Sequence, residues 1–578
     1  CVVLYLLWPL PAPLTNVDEA RYSEASREML ESGNFILPHH NYEPRYQKPV
    51  MIYWLQAGSM ALLGPTPTAA RLPSAVAGIA LVLLVHWFLL RWLPLLGGDE
   101  KQRRGIAFLG SCALMTMPLL SIWTRVATTD MVLTLFTTGS ALALLHARLL
   151  PAEQALGVRR AYIIASGCAA LAFLTKGPVG VAIPVGAWLA FVLLQRSLWA
   201  ECRRIPWVWV MLTFVAIAAP WYVATYIVDG PNFMKQFFFT ENVDRFTGKD
   251  AAAVPVPRVG LLLSYVPICY LFVFPWSVFL VRDLRRPLGG SELLSRDAVA
   301  VLLRRFCWVW MAVVIVIFSL SRNQSPNYVQ SIVAAAAIVL SLHLLGRLSG
   351  DDAGGVRISW GEIVGLGIGM AIWVGLVAWV VSVGSVQRPL VFPPLMGLPN
   401  SQPFPVPLAG ALMFASIVLG AMLLTVFSTP RVPGREANAF LLTTGVWLAF
   451  TAVFVMGFSP MLSNSAHALS VEAGASLRDF PHDTPIWVYT EKRQDVLVFY
   501  AQRRLELLSR EKTRLSEELR RTPPPDSGLI IVTDDRGMVE AQSVADVELL
   551  RRFDATLLLR VRARAMAAAA DREEQARE

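Results

Sequence analysis

The chain has 578 residues, 55% of them hydrophobic and 16% charged, against the ~25% charged residues of a soluble domain. That excludes a single soluble core and points to a polytopic α-helical membrane protein. The formal charge of +9 is therefore a question of where basic residues sit, not a sign of nucleic-acid binding.

Taken in chain order, thirteen apolar runs approach the ~20 residues that cross a bilayer. They lie near residues 2–14, 69–93, 104–121, 128–149, 159–173, 177–195, 206–226, 259–282, 302–320, 327–348, 358–383, 405–427 and 437–459. The first is short at its start and the chain opens on Cys1 instead of Met, so a native start is expected upstream. Short loops alternate in charge. One set clusters Arg103 with Arg104, Arg159 with Arg160, Arg203 with Arg204 and Arg285 with Arg286; the other holds Arg125, Lys176, Arg322 and Arg388. Positive-inside reasoning places the first set in the cytoplasm. The loops near 15–68 and 227–258 and the C-terminal region then face out. The six cysteines fall in or beside spans or on the inner side, which implies no disulfide framework.

The first outer loop begins "NVDEARYSEASREML". Asn16 is placed to cap a helix whose third residue is Glu19, and Gly33 ends it after Ser32. A second short helix starts at Pro49, reads "VMIYWLQAGSMALL" and stops at Gly64. It is too short to span easily, and Tyr53 and Trp54 predict a helix lying along the membrane surface.

After the membrane domain, residues 1–460, the pattern changes. "PIWVYT", "RLELLS", "GLIIVTDD" and "ATLLLRV" read as strands, whereas "QDVLVFYAQ", "EKTRLSEELRR" and "MVEAQSVADVELLRRF" read as helices. The alternation predicts a small extracytoplasmic α/β domain with a parallel sheet over residues 461–578. No glycine-rich phosphate loop follows a strand, so nucleotide binding is unsupported.

Acids favour a helix N-terminus by ~0.3–1 kcal/mol, which accounts for Asp18 and Glu19 taken alone. Asp18, Arg21 and Tyr22, however, stand at i, i+3 and i+4 and share a face. Asp130 opens the fourth span from the same side in "VATTDMVLTLF", and an ionisable group at a span end is a functional candidate. Cations accompany these acids: Lys48 in "RYQKPV", Lys176 in "FLTKGPVG", Arg245 in "FTENVDRF" and Arg322 in "FSLSRNQSPNYVQ". Each alone is accounted for by snorkelling to the interface. Together, on a side poor in basic residues, they suit a bound anion such as a lipid phosphodiester.

In order along residues 5–340, "DEARYSEASREML", "YQKPVMIYWLQA", "TTDMVL", "FLTKGPVG", "ENVDRF" and "FSLS…SPNY" resemble the bacterial ArnT-type glycosyltransferases. That family transfers 4-amino-4-deoxy-L-arabinose from undecaprenyl phosphate to lipid A and shares the GT-C fold with protein O-mannosyltransferases. The resemblance implies a GT-C fold of about 13 transmembrane helices with the C-terminal α/β domain appended. It implies Asp18 and Asp130 as catalytic acids, and Lys48, Arg245 and Lys176 as ligands of the donor phosphate. Arg21, Tyr22, Arg322 and Tyr328 become substrate contacts, Tyr328 lying with Pro326 in a Pro-x-Tyr motif. Three positions depart from the family pattern: Gln47 stands where Glu is usual, Asn242 where His is common, and Gln324 where Lys occurs. Some relatives hold a metal with that Glu and His; two amides are poor zinc ligands, so no metal is expected, nor any other cofactor.

The partners implied are an undecaprenyl-phosphate-linked sugar donor, lipid A or another outer-face acceptor, and membrane lipids. The implied state is a monomer in the bacterial inner membrane with its site facing the periplasm. The competing readings are transfer to a protein or another glycan, a transporter or flippase of lipid-linked sugars, and a non-catalytic lipid-binding scaffold. Transport would place acids inside the spans, whereas here the charges cluster at one end of them.

Overall fold

The computed structural model describes residues 14, 17–96, 100–244, 258–284, 298–321, 325–348, 368, 466–490, 495–510, 513–525, 527–553 and 556–564. The first outer loop folds as helix α1 (Val17–Ser32), a minimal antiparallel pair β1 (His39–His40) and β2 (Glu43–Pro44), and helix α2 (Met51–Leu63). Gly33 and Gly64 follow the two helices at φ +68° and +73°, the left-handed region that glycine enters at no steric cost. The cap expected from Asn16 lies outside the described residues. Helix α2 does not simply lie along the surface as predicted. Tyr53 is fully buried, and Ile52, Gln56 and Ala57 share its inward face, while Trp54 is 37% exposed.

The membrane part follows as α3 (Pro67–Trp92), α4 (Glu100–Thr116), α5 (Pro118–Trp123), α6 (Asp130–Leu149), α7 (Ala155–Lys176), α8 (Pro178–Leu194), α9 (Trp207–Asp229), α10 (Arg258–Val273), α11 (Ser277–Leu284), α12 (Ala298–Leu320) and α13 (Ile332–Leu348). Among the described residues six helices are long and apolar enough to cross a membrane: Pro67–Trp92, Asp130–Leu149, Ala155–Lys176, Trp207–Asp229, Val299–Leu320 and Pro326–Leu345. The run at 104–121 divides into α4 and α5 at Pro118, which has no N–H to continue the ladder. The run at 259–282 likewise divides into α10 and α11 around Pro275. The run at 177–195 is the 17-residue α8. The runs at 358–383, 405–427 and 437–459 and nearly all of 2–14 lie outside the described residues.

The segment Pro326–Leu345 is 89% buried over its most apolar window and is the centre of the bundle, with Ala334, Ala335, Ala336 and Ala337 wholly enclosed. Small side chains let neighbouring helices approach. Helix α9 is only 22% buried and turns Val208, Leu212 and Val215 outward, as a lipid-facing helix does. Helices α7 and α8 meet at Gly177, φ +74°, where a Cβ would stand 2.5 Å from the Phe237 ring. A residue other than glycine there would push Phe237, and the helical segment Lys235–Asp244 that carries it, off the bundle.

The C-terminal domain contains α14 (Ala466–Leu477), β3 (Ile486–Thr490), α15 (Asp495–Ala501), β4 (Glu506–Ser509), α16 (Leu515–Arg521), β5 (Leu529–Thr533), α17 (Asp535–Gln542), β6 (Asp546–Phe553) and β7 (Thr556–Arg562). The sheet order is β4-β3-β5-β7-β6. Alternation along the strands divides two apolar layers. Ile486, Val488, Ile530 and Val532 pack against α14 and α15, while Trp487, Tyr489, Leu529 and Ile531 pack against α16 and α17. The expected all-parallel sheet is corrected to a mixed one: β4-β3-β5 is parallel, and β7 pairs antiparallel with both β5 and β6. The expected helix over "MVEAQSVADVELLRRF" is also corrected. It ends at Gln542, and residues 546–553 form the edge strand, with a bulge between Leu549 and Arg551. The helical and alternating readings of "ADVELLRRF" compete in isolation. Pairing with β7 decides, because it satisfies backbone groups that the sheet edge would otherwise leave open.

Candidate active site

Helix α1 is held by a buried charge. Glu19, 1% exposed, accepts from Arg71 Nε at 2.9 Å and Nη2 at 3.0 Å, and from the backbone N–H of Ala127 at 2.8 Å. Arg71 stands in the second turn of α3, and Ala127 in the loop that enters α6. One carboxylate thus ties the N-terminal turn of α1 to the approach to Asp130. Gln56 of α2 adds a neutral tie. It accepts from Ser26 Oγ at 2.9 Å and donates to the Ala70 carbonyl at 3.0 Å.

Around this frame the polar groups gather at one end of the bundle. Asp130, 6% exposed at the N-terminus of α6, accepts from Lys176 Nζ at 2.6 Å. The same ammonium stands 4.7 Å from the centroid of the Tyr328 ring, a cation–π distance. Three separate elements supply this triad: α6, the C-terminus of α7, and the 3₁₀ turn Pro326–Ser331 that leads into α13. Beside it Tyr22 and Tyr53 are buried with ring centroids 5.9 Å apart. Arg45 lies 5.2 Å from the Tyr22 ring and donates from Nε to Tyr53 Oη at 2.9 Å.

The electrostatics place both acids at this point. Burial raises the Tyr22 phenol well above its ordinary range; Asp18 and Tyr53 add to the rise, Arg45 opposes it and Asp130 adds again. Burial also raises Tyr53, with Arg45 opposing and Asp18 and Glu241 adding. For Arg45, burial disfavours the charge, but Tyr53, Tyr22 and Asp18 outweigh it and hold the guanidinium firmly protonated. Asp18 and Asp130 therefore act on the same phenol, from one side of the bundle. Asp18 is exposed, whereas Asp130 is buried.

The segment around 221–233 closes on the segment around 36–46. Tyr46 donates to Asp229 at 3.3 Å, and its ring meets Phe233 edge-on at 6.2 Å. Trp221 Nε1 donates to the Ile36 carbonyl at 2.9 Å. Lys48 is half-buried and its Nζ donates to the Gln47 carbonyl at 3.0 Å, three residues from Arg45.

Of the expected site residues, Asp18, Tyr22, Asp130, Lys176 and Tyr328 share this region, with Lys48 in the loop that lines it. Arg21 Nη2 forms an ion pair with Asp495 of the C-terminal domain at 3.0 Å. Arg245, Arg322 and Gln324 lie outside the described residues. Arg45 and Tyr53 were not legible as site residues. Arg45 is adjacent to the Lys-Pro motif, and that proximity was the one available signal; Tyr53 reads from sequence as an interfacial aromatic. A metal does not fit the residues present. Gln47 and Asn242 offer amides, Asn242 donates to the Phe237 carbonyl at 2.6 Å, and among the described residues no three His, Cys, Asp or Glu side chains converge on one point.

Further along α1, Glu28 accepts from the Tyr42 N–H at 2.9 Å through one oxygen, while its other oxygen is buried without a hydrogen bond. Burial and the neighbouring Glu24 raise its carboxyl from 4.5 to about 8. The folded state binds this proton more tightly than the unfolded state. The associated stability is complete below about pH 4.5 and is lost as pH rises through about 8. Thermal unfolding across that window is expected to show a falling Tm that Glu28→Gln flattens; an equal slope in the variant would exclude Glu28 as its source.

Residues 14–235 match the family described as dolichyl-phosphate-mannose-protein mannosyltransferase. Among curated relatives, the undecaprenyl phosphate-alpha-4-amino-4-deoxy-L-arabinose arabinosyl transferase of Edwardsiella ictaluri is 30% identical over 380 residues, covering 65% of this chain and 64% of the relative. The protein of the same name from Aeromonas hydrophila is 29% identical over 349 residues, covering 60% and 59%. The match thus spans less than two thirds of these relatives' length. Among solved structures, ArnT from Cupriavidus metallidurans bound to undecaprenyl phosphate superposes with a TM-score of 0.73 at 19% identity, covering 97% of this chain and 96% of that one. The apo form of the same protein gives 0.70. At that identity the likeness establishes the fold.

Proposed function

We propose, from the match of residues 14–235 to the dolichyl-phosphate-mannose-protein mannosyltransferase family and the likeness of the fold to that of ArnT, that this membrane protein is a glycosyltransferase. It moves a sugar, 4-amino-4-deoxy-L-arabinose, from undecaprenyl phosphate to lipid A at the periplasmic face of the inner membrane. The observation that carries the reading is the meeting of Asp130, Lys176 and Tyr328 beside the Asp18–Tyr22–Arg45 group at one end of the bundle. The support for the sugar and donor is the name of the relatives.

Cleaving the anomeric bond leaves negative charge on the departing lipid phosphate. Lys48, with Arg245, stabilises that charge where water is scarce, and Lys176 contributes from its place on Asp130. The donor is already activated, so the reaction needs neither ATP nor a nucleotide sugar. If the acceptor is a hydroxyl, Asp18 takes its proton as general base. If it is a lipid A phosphate, the nucleophile is already ionised, and Asp18 orients the sugar or stabilises positive charge at the anomeric carbon. In-line attack inverts that centre. Tyr22 and Tyr328 offer ring faces and hydroxyls to the sugar.

Purified protein in detergent, given undecaprenyl phosphate–aminoarabinose and lipid A, is expected to yield lipid A heavier by one aminopentose in mass spectra. Micelles have no two sides, so a flippase would yield nothing in this assay. Unchanged lipid A beside an altered glycoprotein, in cells with and without the gene, would move the acceptor to protein.

A further inference from the structure

Among its described residues the C-terminal domain has no catalytic constellation of its own, yet its helix α15 is seated on the acid-bearing segments of the membrane domain. Asp495, 2% exposed at the start of α15, forms an ion pair with Arg21 Nη2 at 3.0 Å, with His40 Nε2 3.6 Å from its other oxygen. Arg21 stands one helical turn after Asp18. Asn41 makes a two-way bond to the strand-like backbone after α15: its Nδ2 donates to the Leu505 carbonyl at 2.7 Å and its Oδ1 accepts from the Leu505 N–H at 2.9 Å. Tyr500 Oη accepts from the Leu14 N–H at 3.2 Å. Phe499, 1% exposed, packs in one apolar cluster with Leu14, Met60, Ala69, Ala70 and Ala127.

These ties converge on the hardware that places the acids. Ala127 donates its N–H to Glu19 and leads into Asp130. Phe499 of α15 packs with Ala70, the neighbour of Arg71, and with Ala127, the N–H partner of Glu19, and the charges of Arg71 and Glu19 both reach the Tyr500 phenol. A side chain that is nearly fully buried and charged, contributed by one domain to a helix of another, fixes a helix rotation more sharply than apolar contact does, because an alternative register leaves the charge unpaired.

We propose that the C-terminal domain is a positioning element of the active site. Asp495, acting through Arg21, sets the rotation of α1 and hence the direction in which Asp18 points. The inference rests on the glycosyltransferase reading. It assigns Arg21 to this latch instead of to the substrate.

The test is steady-state kinetics of the full chain with undecaprenyl phosphate–aminoarabinose and lipid A, for Asp495→Asn, Arg21→Gln and the double variant. A displacement of about 1 Å at a reacting group costs up to about 10²-fold in rate. Each single variant is expected to lose about 10- to 100-fold in kcat with donor KM within about twofold. The double variant is expected to be no slower than the slower single, since both act through one contact. Asp495→Glu is expected to recover most of the loss. Unchanged kcat in Asp495→Asn, a loss confined to KM, or a double variant carrying the product of the two losses would each overturn the proposal. Should Asp495→Asn not fold, Asn41→Ala, which removes a second tie of the same domain, takes its place, with the same kcat loss expected and full activity counting against the idea. A wild-type chain that transfers nothing sinks the glycosyltransfer reading and this inference with it. A wild type that transfers beside an unimpaired Asp495→Asn sinks the inference alone.

Discussion

Asp18→Asn is expected to lower kcat by about 10²–10⁴-fold, the range spanned by a positioned acid or base, with yield and Tm near those of the unsubstituted protein. The first half of that expectation follows from placement. Asp18 and Asp130 both act on Tyr22, and Lys176 neutralises Asp130 directly at 2.6 Å. Of the two acids, Asp18 carries the exposed carboxylate. The second half follows from its exposure, since surface substitutions away from buried networks stay within about 0.5 kcal/mol. Kinetics and thermal unfolding on the same sample decide. Normal turnover removes Asp18 from the chemistry, and a collapse in Tm would make the kinetic loss uninformative about mechanism.

Arg71→Met is expected to act on stability instead, by about 3–5 kcal/mol, the cost of leaving one partner of a buried ion pair uncompensated. Glu19 is 1% exposed and Arg71 only slightly more, so water cannot replace the lost guanidinium. The Ala127 N–H still meets Glu19, but one neutral donor does not offset a buried charge. The double variant Glu19→Gln with Arg71→Met is expected to be more stable than Arg71→Met alone, because it removes the stranded charge. Thermal unfolding in detergent, with the monodisperse fraction as a second readout, checks both. A single variant as stable as the native chain would mean that the pair does not hold α1 in place.

Asp18 and Glu19, adjacent in sequence, show what could be read and what could not. Asp18 was legible because a charged helix start between apolar runs stands out from its surroundings, and because the order of later motifs supplied its companions: Asp130, Lys48, Lys176 and Tyr328. Glu19 was legible only as an acid at a helix N-terminus. Its partner lies 52 residues away in another helix, and nothing in the local pattern names Arg71. The partner of Arg21 was not legible for the same reason. The position of Arg21 three residues after Asp18 is real, but a helical face says which way a side chain leaves the backbone, not what waits there. Its partner, Asp495, comes from the far end of the chain.

By itself, then, the sequence determined the membrane class, most of the span positions within the described residues and the alternation of basic loops. Each of these is a property of short windows: apolar length against bilayer thickness, or charge against an apolar background. The tertiary structure alone decided the ion pairs Glu19–Arg71 and Arg21–Asp495, the placing of Arg45 between two buried tyrosines, and the edge strand at residues 546–553. Each of those depends on groups distant along the chain satisfying one another's charge or backbone valence once water is excluded. That requirement exists only after the chain has folded.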